Sequence, residues 1–241
     1  QPRAVIDIVM TEPLTDHFLE QIGLFVRAFR RPKACNLCAA KVFQTLRRKI
    51  ERLVPCRLAE MRLPVARLHV QALFGRTKAL IGVIHSLPLP GAPHYDGMPV
   101  EEIYAYAVTE AEGYAAGGFD GLIVENHGDI PFAKPSEIGP ETAAAMAVMT
   151  DRVQRAVGLT TGVNVLANDA ETAIAVCKAS GAKFFRVNQW ANAYVANEGF
   201  MEGKAGRASR YRANLRANDL RIFTDVHVKH GAHAIVADRS I

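Results

Sequence analysis

Five short runs rich in β-branched residues recur along this chain, and each ends in polar residues that can take part in chemistry. The runs occupy residues 80–85, 121–126, 162–166, 184–188 and 222–229. The first four lead into stretches with helical character. Strands that alternate with helices predict βαβ units around a parallel sheet. The predicted fold class is therefore α/β, and the pattern favours a partial (β/α) barrel with about five of eight units present.

An open five-stranded sheet is the alternative architecture. The regularity of the repeat favours an incomplete barrel, because closure requires every strand to pair on both sides. No helix follows the fifth run, so we expect about three βα units to be missing. Such a fragment is expected to be inactive, and its open sheet edges favour oligomers.

Capping residues predict where the helices begin and end. The expected helices are 100–116, which stops at a glycine pair; 140–157, which opens on proline and stops at Gly158; and 170–180, which Asp169 caps and Gly181 ends. A long loop at 189–203 then precedes a basic helix that ends near Asn218.

The basic residues are concentrated in the N-terminal third. Residues 1–78 hold 15 Lys and Arg against 6 Asp and Glu, whereas residues 79–241 hold 14 against 18. The overall charge is therefore no argument for binding nucleic acid. We expect a basic N-terminal extension at 1–72, poorly defined or helical, and an incomplete barrel at 73–241.

The extension contains an amphipathic stretch at 39–53, where apolar residues at spacings of four and three alternate with basic ones. It is interpreted as a solvated helix, with a membrane-surface or partner-binding helix as the alternative. A third interpretation is that residues 1–60 are upstream sequence joined by a wrong start, with Met61 as an internal start. Cys35 and Cys38 have metal-ligand spacing, but no second close pair follows, so a structural zinc site is not predicted.

The cellular location follows from the apolar runs and the cysteines. No run approaches the roughly 20 apolar residues that span a bilayer, so no transmembrane segment is predicted. Of four cysteines only Cys177 lies in the repeat region, which is typical of a reducing compartment. The cytoplasm is the expected location.

Four residues at strand ends are the candidate catalytic groups. Asp225, His227 and Lys229 alternate along the fifth run and are expected to share a face, and Glu125 ends an apolar run. A carboxylate, an imidazole and an ammonium group together suit acid–base chemistry. Asp225, His227 and Glu125 could instead ligate a divalent metal, whose identity the sequence leaves unknown. A purely structural ion-pair network is the other alternative.

Five further residues at strand ends or in the strands are candidates for binding a small-molecule substrate: His85, Asn126, Asn164, Arg186 and Asn188. Arg186 either binds an anionic substrate or neutralises Glu125, and the sequence leaves both interpretations open.

Four motifs resemble successive motifs of the BtpA/SgcQ family: GVIHSLPLPGAP at 82–93, GLIVENHGDIPF at 121–132, GVNVLAND at 162–169 and DVHVKH at 225–230. The resemblance covers about 73–241. It implies a barrel of the ribulose-phosphate-binding type and an enzyme of undetermined reaction on a small phosphorylated, carbohydrate-like substrate. The alternative is a non-catalytic photosystem I biogenesis factor held peripherally at the thylakoid. The family's last strands are absent, so no phosphate site is assigned.

Overall fold

The computed structural model describes residues 8–9, 65–226, 228 and 231–233. The predicted amphipathic stretch at 39–53, the pair Cys35 and Cys38, and the candidate catalytic residues His227 and Lys229 lie outside these ranges.

Strands and helices alternate through the described region. The strands are β1 (Ile8–Val9), β2 (Ile81–His85), β3 (Gly121–Glu125), β4 (Thr160–Asn164), β5 (Phe184–Val187), β6 (Ala193–Ala196), β7 (Gly199–Glu202), β8 (Arg221–Thr224) and β9 (Ala232–His233). The helices are α1 (Val65–Phe74), α2 (Val100–Ala116), α3 (Pro140–Val157), α4 (Ala170–Ser180) and α5 (Ala205–Asn214). None of the helices in the described ranges is long and apolar enough to cross a membrane.

The main sheet has the order β1-β2-β3-β4-β5-β8. Strands β2, β3, β4, β5 and β8 run parallel, and β1 is antiparallel to β2. The predicted α/β fold with a parallel sheet is therefore confirmed. Among the described residues the sheet is open, with β1 and β8 at its edges. A second, antiparallel sheet has the order β7-β6-β9.

The two faces of the main sheet have different neighbours. One face carries Ile84, Leu122 and Val124, which pack in the core formed with helices α2 to α4. On the other face Ile81, Val83, Ile123 and Phe184 pack with Val70 and Phe74 of α1. Side chains alternate between the two faces along a strand. The residues that lie two positions beyond this second apolar layer therefore share its face and lie at the carboxyl edge of the sheet.

The prediction placed two strand ends two or more residues too late. β4 runs from Thr160 to Asn164 rather than over 162–166, because Leu166 turns its N–H to the side chain of Asn126. The shift is two residues, so it leaves each side chain on its predicted face. β8 ends at Thr224, because after the Asp225 N–H bonds the Val187 carbonyl the chain leaves the ladder.

The loop predicted at 189–203 contains the hairpin β6–β7, which the sequence analysis did not anticipate. Tyr194 and Met201 of this hairpin pack on Leu166 and Ala167, which follow β4. The second sheet therefore lies against the loops at the carboxyl edge. The basic helix α5 ends at Asn214, four residues earlier than expected, and Arg216 adopts a left-handed φ of 49° shortly after it.

Helix α4 begins as predicted at the cap Asp169, whose Oδ1 accepts the Thr172 N–H at 3.1 Å and whose Oδ2 accepts the Thr172 hydroxyl at 2.6 Å. Replacing Asp169 with alanine is expected to lower the free energy of unfolding by about 1 kcal/mol, because two donors lose their acceptor. Urea unfolding measures the change. Asp219→Ala, at an exposed position, is the matched control, and an equal effect of both variants would contradict the capping role.

Candidate functional site

Four polar side chains form a single row across the carboxyl edge of the sheet. His85 of β2 pairs in register with Glu125 of β3, Glu125 with Asn164 of β4, and Asn164 with Arg186 of β5. We call these four residues the register row. Residues in register on neighbouring parallel strands point to the same face, so the ladder itself brings their side chains together.

Glu125 lies at the centre of the register row and is only 3% exposed. Its Oε2 accepts hydrogen bonds from Asn164 Nδ2 at 2.5 Å and from Arg186 Nη1 at 3.3 Å. Its Oε1 lies 3.5 Å from His85 Nε2. A buried carboxylate is costly without partners, and here one guanidinium and one amide offset that cost.

Arg186 joins the register row to the end of β8. Its Nε and Nη2 donate to Asp225 Oδ1 and Oδ2 at 3.0 and 2.9 Å, a bidentate pair, while Nη1 reaches Glu125. The sequence left open whether Arg186 neutralises Glu125, and the structure places it in contact with both carboxylates. Two carboxylates against one guanidinium leave the group with a net negative charge when the histidines are neutral.

His127 adds a second imidazole beside the register row. Its ring stacks on that of His85, with centroids 4.2 Å apart and planes inclined by 18°. The sequence analysis did not place His127 among the candidate site residues, because it lies in a loop after the strand. The signal was present in the spacing, since His127 stands two residues after Glu125 and two-residue alternation favours the same face. His85, Glu125 and His127 each offer one ligand atom, and these atoms all lie within 4.8 Å of one another.

Two asparagines in this region have buried carbonyl oxygens without a hydrogen-bond partner in the described part of the chain. Asn164 is fully buried and uses its Nδ2 on Glu125, but its Oδ1 has no donor. Asn188, which follows β5, likewise has an unsatisfied Oδ1. Buried acceptors without donors are rare, and each is a place where a water or a ligand hydroxyl would bind.

Asn126 lies outside the register row and connects two loops. Its Oδ1 accepts the Leu166 N–H at 2.7 Å, and its Nδ2 donates to the Leu166 carbonyl at 3.2 Å and to Asp129 Oδ2 at 3.0 Å. Asp129 in turn accepts the Leu89 N–H at 2.9 Å. Burial raises the pKa of Asp129, and these two hydrogen bonds oppose the shift. Asn126 and Asp129 together therefore link the loops after β2, β3 and β4.

A separate cavity of about 200 Å³ opens between the loops at the carboxyl edge and the first turns of α4 and α5. Asn168, Asp169, Gln189, Lys204 and Arg207 are among its lining residues. Arg207 pairs with Glu171 of α4, so acidic and basic groups balance there. The sequence analysis did not foresee this cavity, which needs the packing of α5 against α4.

Comparison with known proteins gives a consistent result. A protein of Archaeoglobus fulgidus named as uncharacterised is 46% identical over 156 residues, which cover 65% of this chain and 61% of that protein. The Photosystem I biogenesis protein BtpA of Synechocystis sp. is 42% identical over 151 residues, covering 63% and 52%. A Caenorhabditis elegans protein named as uncharacterised and mitochondrial is 36% identical over 183 residues, covering 73% and 65%.

The chain spans about three fifths of the length of the curated relatives it matches. No solved structure gives a significant match. Residues 76–240 match the sequence profile of the BtpA family, which agrees with the resemblance that the motifs predicted over about 73–241. The chain therefore belongs to the BtpA family.

Proposed function

We propose that this chain carries the active edge of a (β/α)8-barrel enzyme that acts on a small phosphorylated, carbohydrate-like substrate. The observation that supports this most is the register row, which places buried charged and amide groups at the carboxyl ends of four adjacent parallel strands. In barrel enzymes the catalytic groups lie at this end, because the βα loops converge there.

The energetic argument favours a functional role for the register row. An apolar layer of Val83, Ile123 and Phe184 lies one step below it in the same sheet face. Continuing that apolar layer upward would stabilise the fold at least as well as a buried ion pair does. Charged groups kept at this position are therefore better explained by chemistry than by stability.

The chemistry of the free acceptors supports a hydroxyl-rich substrate. The unsatisfied Oδ1 atoms of Asn164 and Asn188 require donors, and sugar hydroxyls are donors of the right size. In the proposed mechanism Glu125 and Asp225 are the acidic groups, and Arg186 stabilises a developing or resident anion. His227 carries the proton and Lys229 assists Arg186, while His85 contacts the substrate and Asn126 fixes the loops around it.

The proposal extends to the organisation of the chain. Residues 73–241 would form the barrel segment and residues 1–72 an extension, within a cytoplasmic protein that is able to form oligomers. Activity is assigned to the complete barrel, since the relatives are longer than the matched segment.

A second function is suggested by one relative. The Synechocystis protein is named for photosystem I biogenesis, and an assembly role would rely on protein contacts at the outer helices, at a membrane surface, rather than on the register row. In a cyanobacterial strain where this chain replaces the resident relative, that role predicts loss of photosystem I with Val148→Glu, at an exposed position on α3. The enzyme proposal predicts the loss with Glu125→Gln instead.

Ligand binding tests the enzyme proposal directly. The full chain is heated with sugar phosphates, with the matching unphosphorylated sugars and with inorganic phosphate, and unfolding is followed by fluorescence. A sugar phosphate that binds the folded chain and is present at a concentration 100 times its dissociation constant should raise the free energy of unfolding by about 2.7 kcal/mol. Glu125→Gln should weaken its binding at least tenfold, equivalent to about 1.4 kcal/mol.

The matched control is Glu112→Gln, at an exposed position of α2, which should bind the same sugar phosphate as tightly as the unaltered chain. Conversion of the bound sugar phosphate is then followed by NMR in the unaltered chain and in a full-length relative. The proposal fails if no compound in the panel stabilises either the chain or a full-length relative, or if Glu125→Gln binds the best compound unchanged.

A further inference from the structure

We infer that His85, Glu125 and His127 form a binding site for a divalent transition-metal ion. The inference rests on the proposed function, because the ion would act at the same edge of the sheet. It differs from the metal ligands suggested by the sequence, which included Asp225: the structure commits both oxygens of Asp225 to Arg186.

The distances between the ligand atoms suit one ion. Zinc binds imidazole nitrogen at about 2.0–2.1 Å and carboxylate oxygen at similar length, so tetrahedral ligand atoms lie about 3.4 Å apart. His85 Nε2 and Glu125 Oε1 are 3.5 Å apart. The third ligand atom, from His127, lies within 4.8 Å of the other two. Because the lone pair of an imidazole lies in its ring plane, the partly buried His127 ring must turn out of its stack on His85 to bind the same ion.

The neighbours of Glu125 orient its carboxylate for such a role. Asn164 and Arg186 both donate to Oε2, which leaves Oε1 on the side of His85. Carboxylates that bind metals are held in this way by hydrogen bonds from residues behind them, and the loss of those residues weakens metal affinity. The register row thus provides both a ligand and its support.

The local charge also favours a cation. Arg186 would repel a metal ion if it acted alone, but its bidentate pair with Asp225 neutralises it. The carboxylate of Glu125 then remains as the net charge beside two imidazoles. Two imidazoles and one carboxylate prefer ions such as Zn²⁺, Mn²⁺ or Fe²⁺ to Ca²⁺ or Mg²⁺, which favour all-oxygen sites.

A three-ligand site leaves a coordination position for a water or a substrate oxygen. A metal ion there would polarise a substrate carbonyl or lower the pKa of a bound water. His85 would then contact the substrate through the ion.

Calorimetric titration of the full chain with ZnCl₂, after removal of metals by chelation, tests the site. Cys35, Cys38 and Cys56 are replaced by serine in every protein compared, so that thiols outside the described residues do not bind the zinc. The unaltered site should take up one equivalent of Zn²⁺, and His127→Ala should weaken its binding at least tenfold. His94→Ala, at an exposed position, should bind as the unaltered site does.

The visible absorption of bound Co²⁺ provides a second measurement, since it reports coordination directly and should be lost in His127→Ala. Circular dichroism checks that this variant is folded. The inference is overturned if no equivalent of zinc binds, or if His127→Ala binds it unchanged. If zinc does not bind but a sugar phosphate still stabilises the chain in a Glu125-dependent way, only the metal inference fails; zinc binding without any sugar-phosphate effect contradicts only the proposed substrate.

Discussion

Replacement of Arg186 with methionine is expected to lower the free energy of unfolding by about 3–5 kcal/mol. Methionine keeps much of the side-chain length but removes the cation that contacts both Glu125 and Asp225. Glu125, which is almost fully buried, would then carry a charge that, among the described residues of its network, the Asn164 amide and the His85 ring still face. Urea unfolding at neutral pH measures the loss.

The cause can be separated from the loss of packing. Adding Glu125→Gln and Asp225→Asn to Arg186→Met removes the stranded charges with little change of shape, so most of the lost stability should return. Arg186→Lys keeps a charge but not the bidentate geometry, so its free energy of unfolding should lie between those of the unaltered chain and Arg186→Met. It should remain folded even if Arg186→Met does not. Arg210→Met, at an exposed position of α5, is the matched control and should change stability by less than about 0.5 kcal/mol. A loss in Arg186→Met no larger than in this control would show that the network contributes nothing.

Replacement of Phe184 with alanine is the second change with a large expected effect, about 3–5 kcal/mol. Phe184 is fully buried, and its ring stacks on Phe223 at 4.7 Å between centroids and meets Phe74 edge-on at 5.7 Å. Gly162 on the neighbouring strand leaves the room for this ring, since a Cβ there would collide with it. Alanine would leave a cavity directly beneath the register row.

The measurement is again equilibrium unfolding, with Phe200→Ala as the matched control. Phe200 is the same residue type in a strand, β7, but is 51% exposed. Its loss should cost less than about 0.5 kcal/mol. Phe184→Leu retains most of the buried volume and should cost clearly less than Phe184→Ala. Equal losses for the two phenylalanines would mean that the apolar layer around α1 does not form as described.

Much of the site followed from local sequence because the alternation of a strand is local. The run that ends at Glu125 and the run that contains Arg186 each fix, by two-residue periodicity alone, which side chains leave the helix-facing core. The predicted bounds of β4 were wrong by two residues, which left Asn164 on its predicted face for the same reason. The ends of helices α2 at Ala116 and α4 at Ser180 were equally predictable, because the glycines that follow them are a local signal.

The rest depended on contacts between distant parts of the chain. Asn126 is predicted to bind substrate because it ends a strand; the hydrogen bond of its amide with Leu166, 40 residues further on, could not be predicted from that strand. The hairpin β6–β7 forms where Tyr194 can bury itself against the loop after β4, which no periodicity within the hairpin reveals. The spacing of His127 from Glu125 indicates a shared face, but its stacking on the ring of His85 depends on another strand. Propensity and spacing carry no information on such pairings.

The register row has a consequence for how this protein acquires its binding site. A slip of one residue in any of the strands β2, β3, β4 or β5 would turn that strand's polar side chain into the helix-facing core. A neighbouring residue, in most cases an apolar one, would take its place in the site. The site therefore forms only when the strands pair in the correct register. A ligand of the site would bind correctly paired chains alone, and by mass action it would act as a folding aid as well as a reactant.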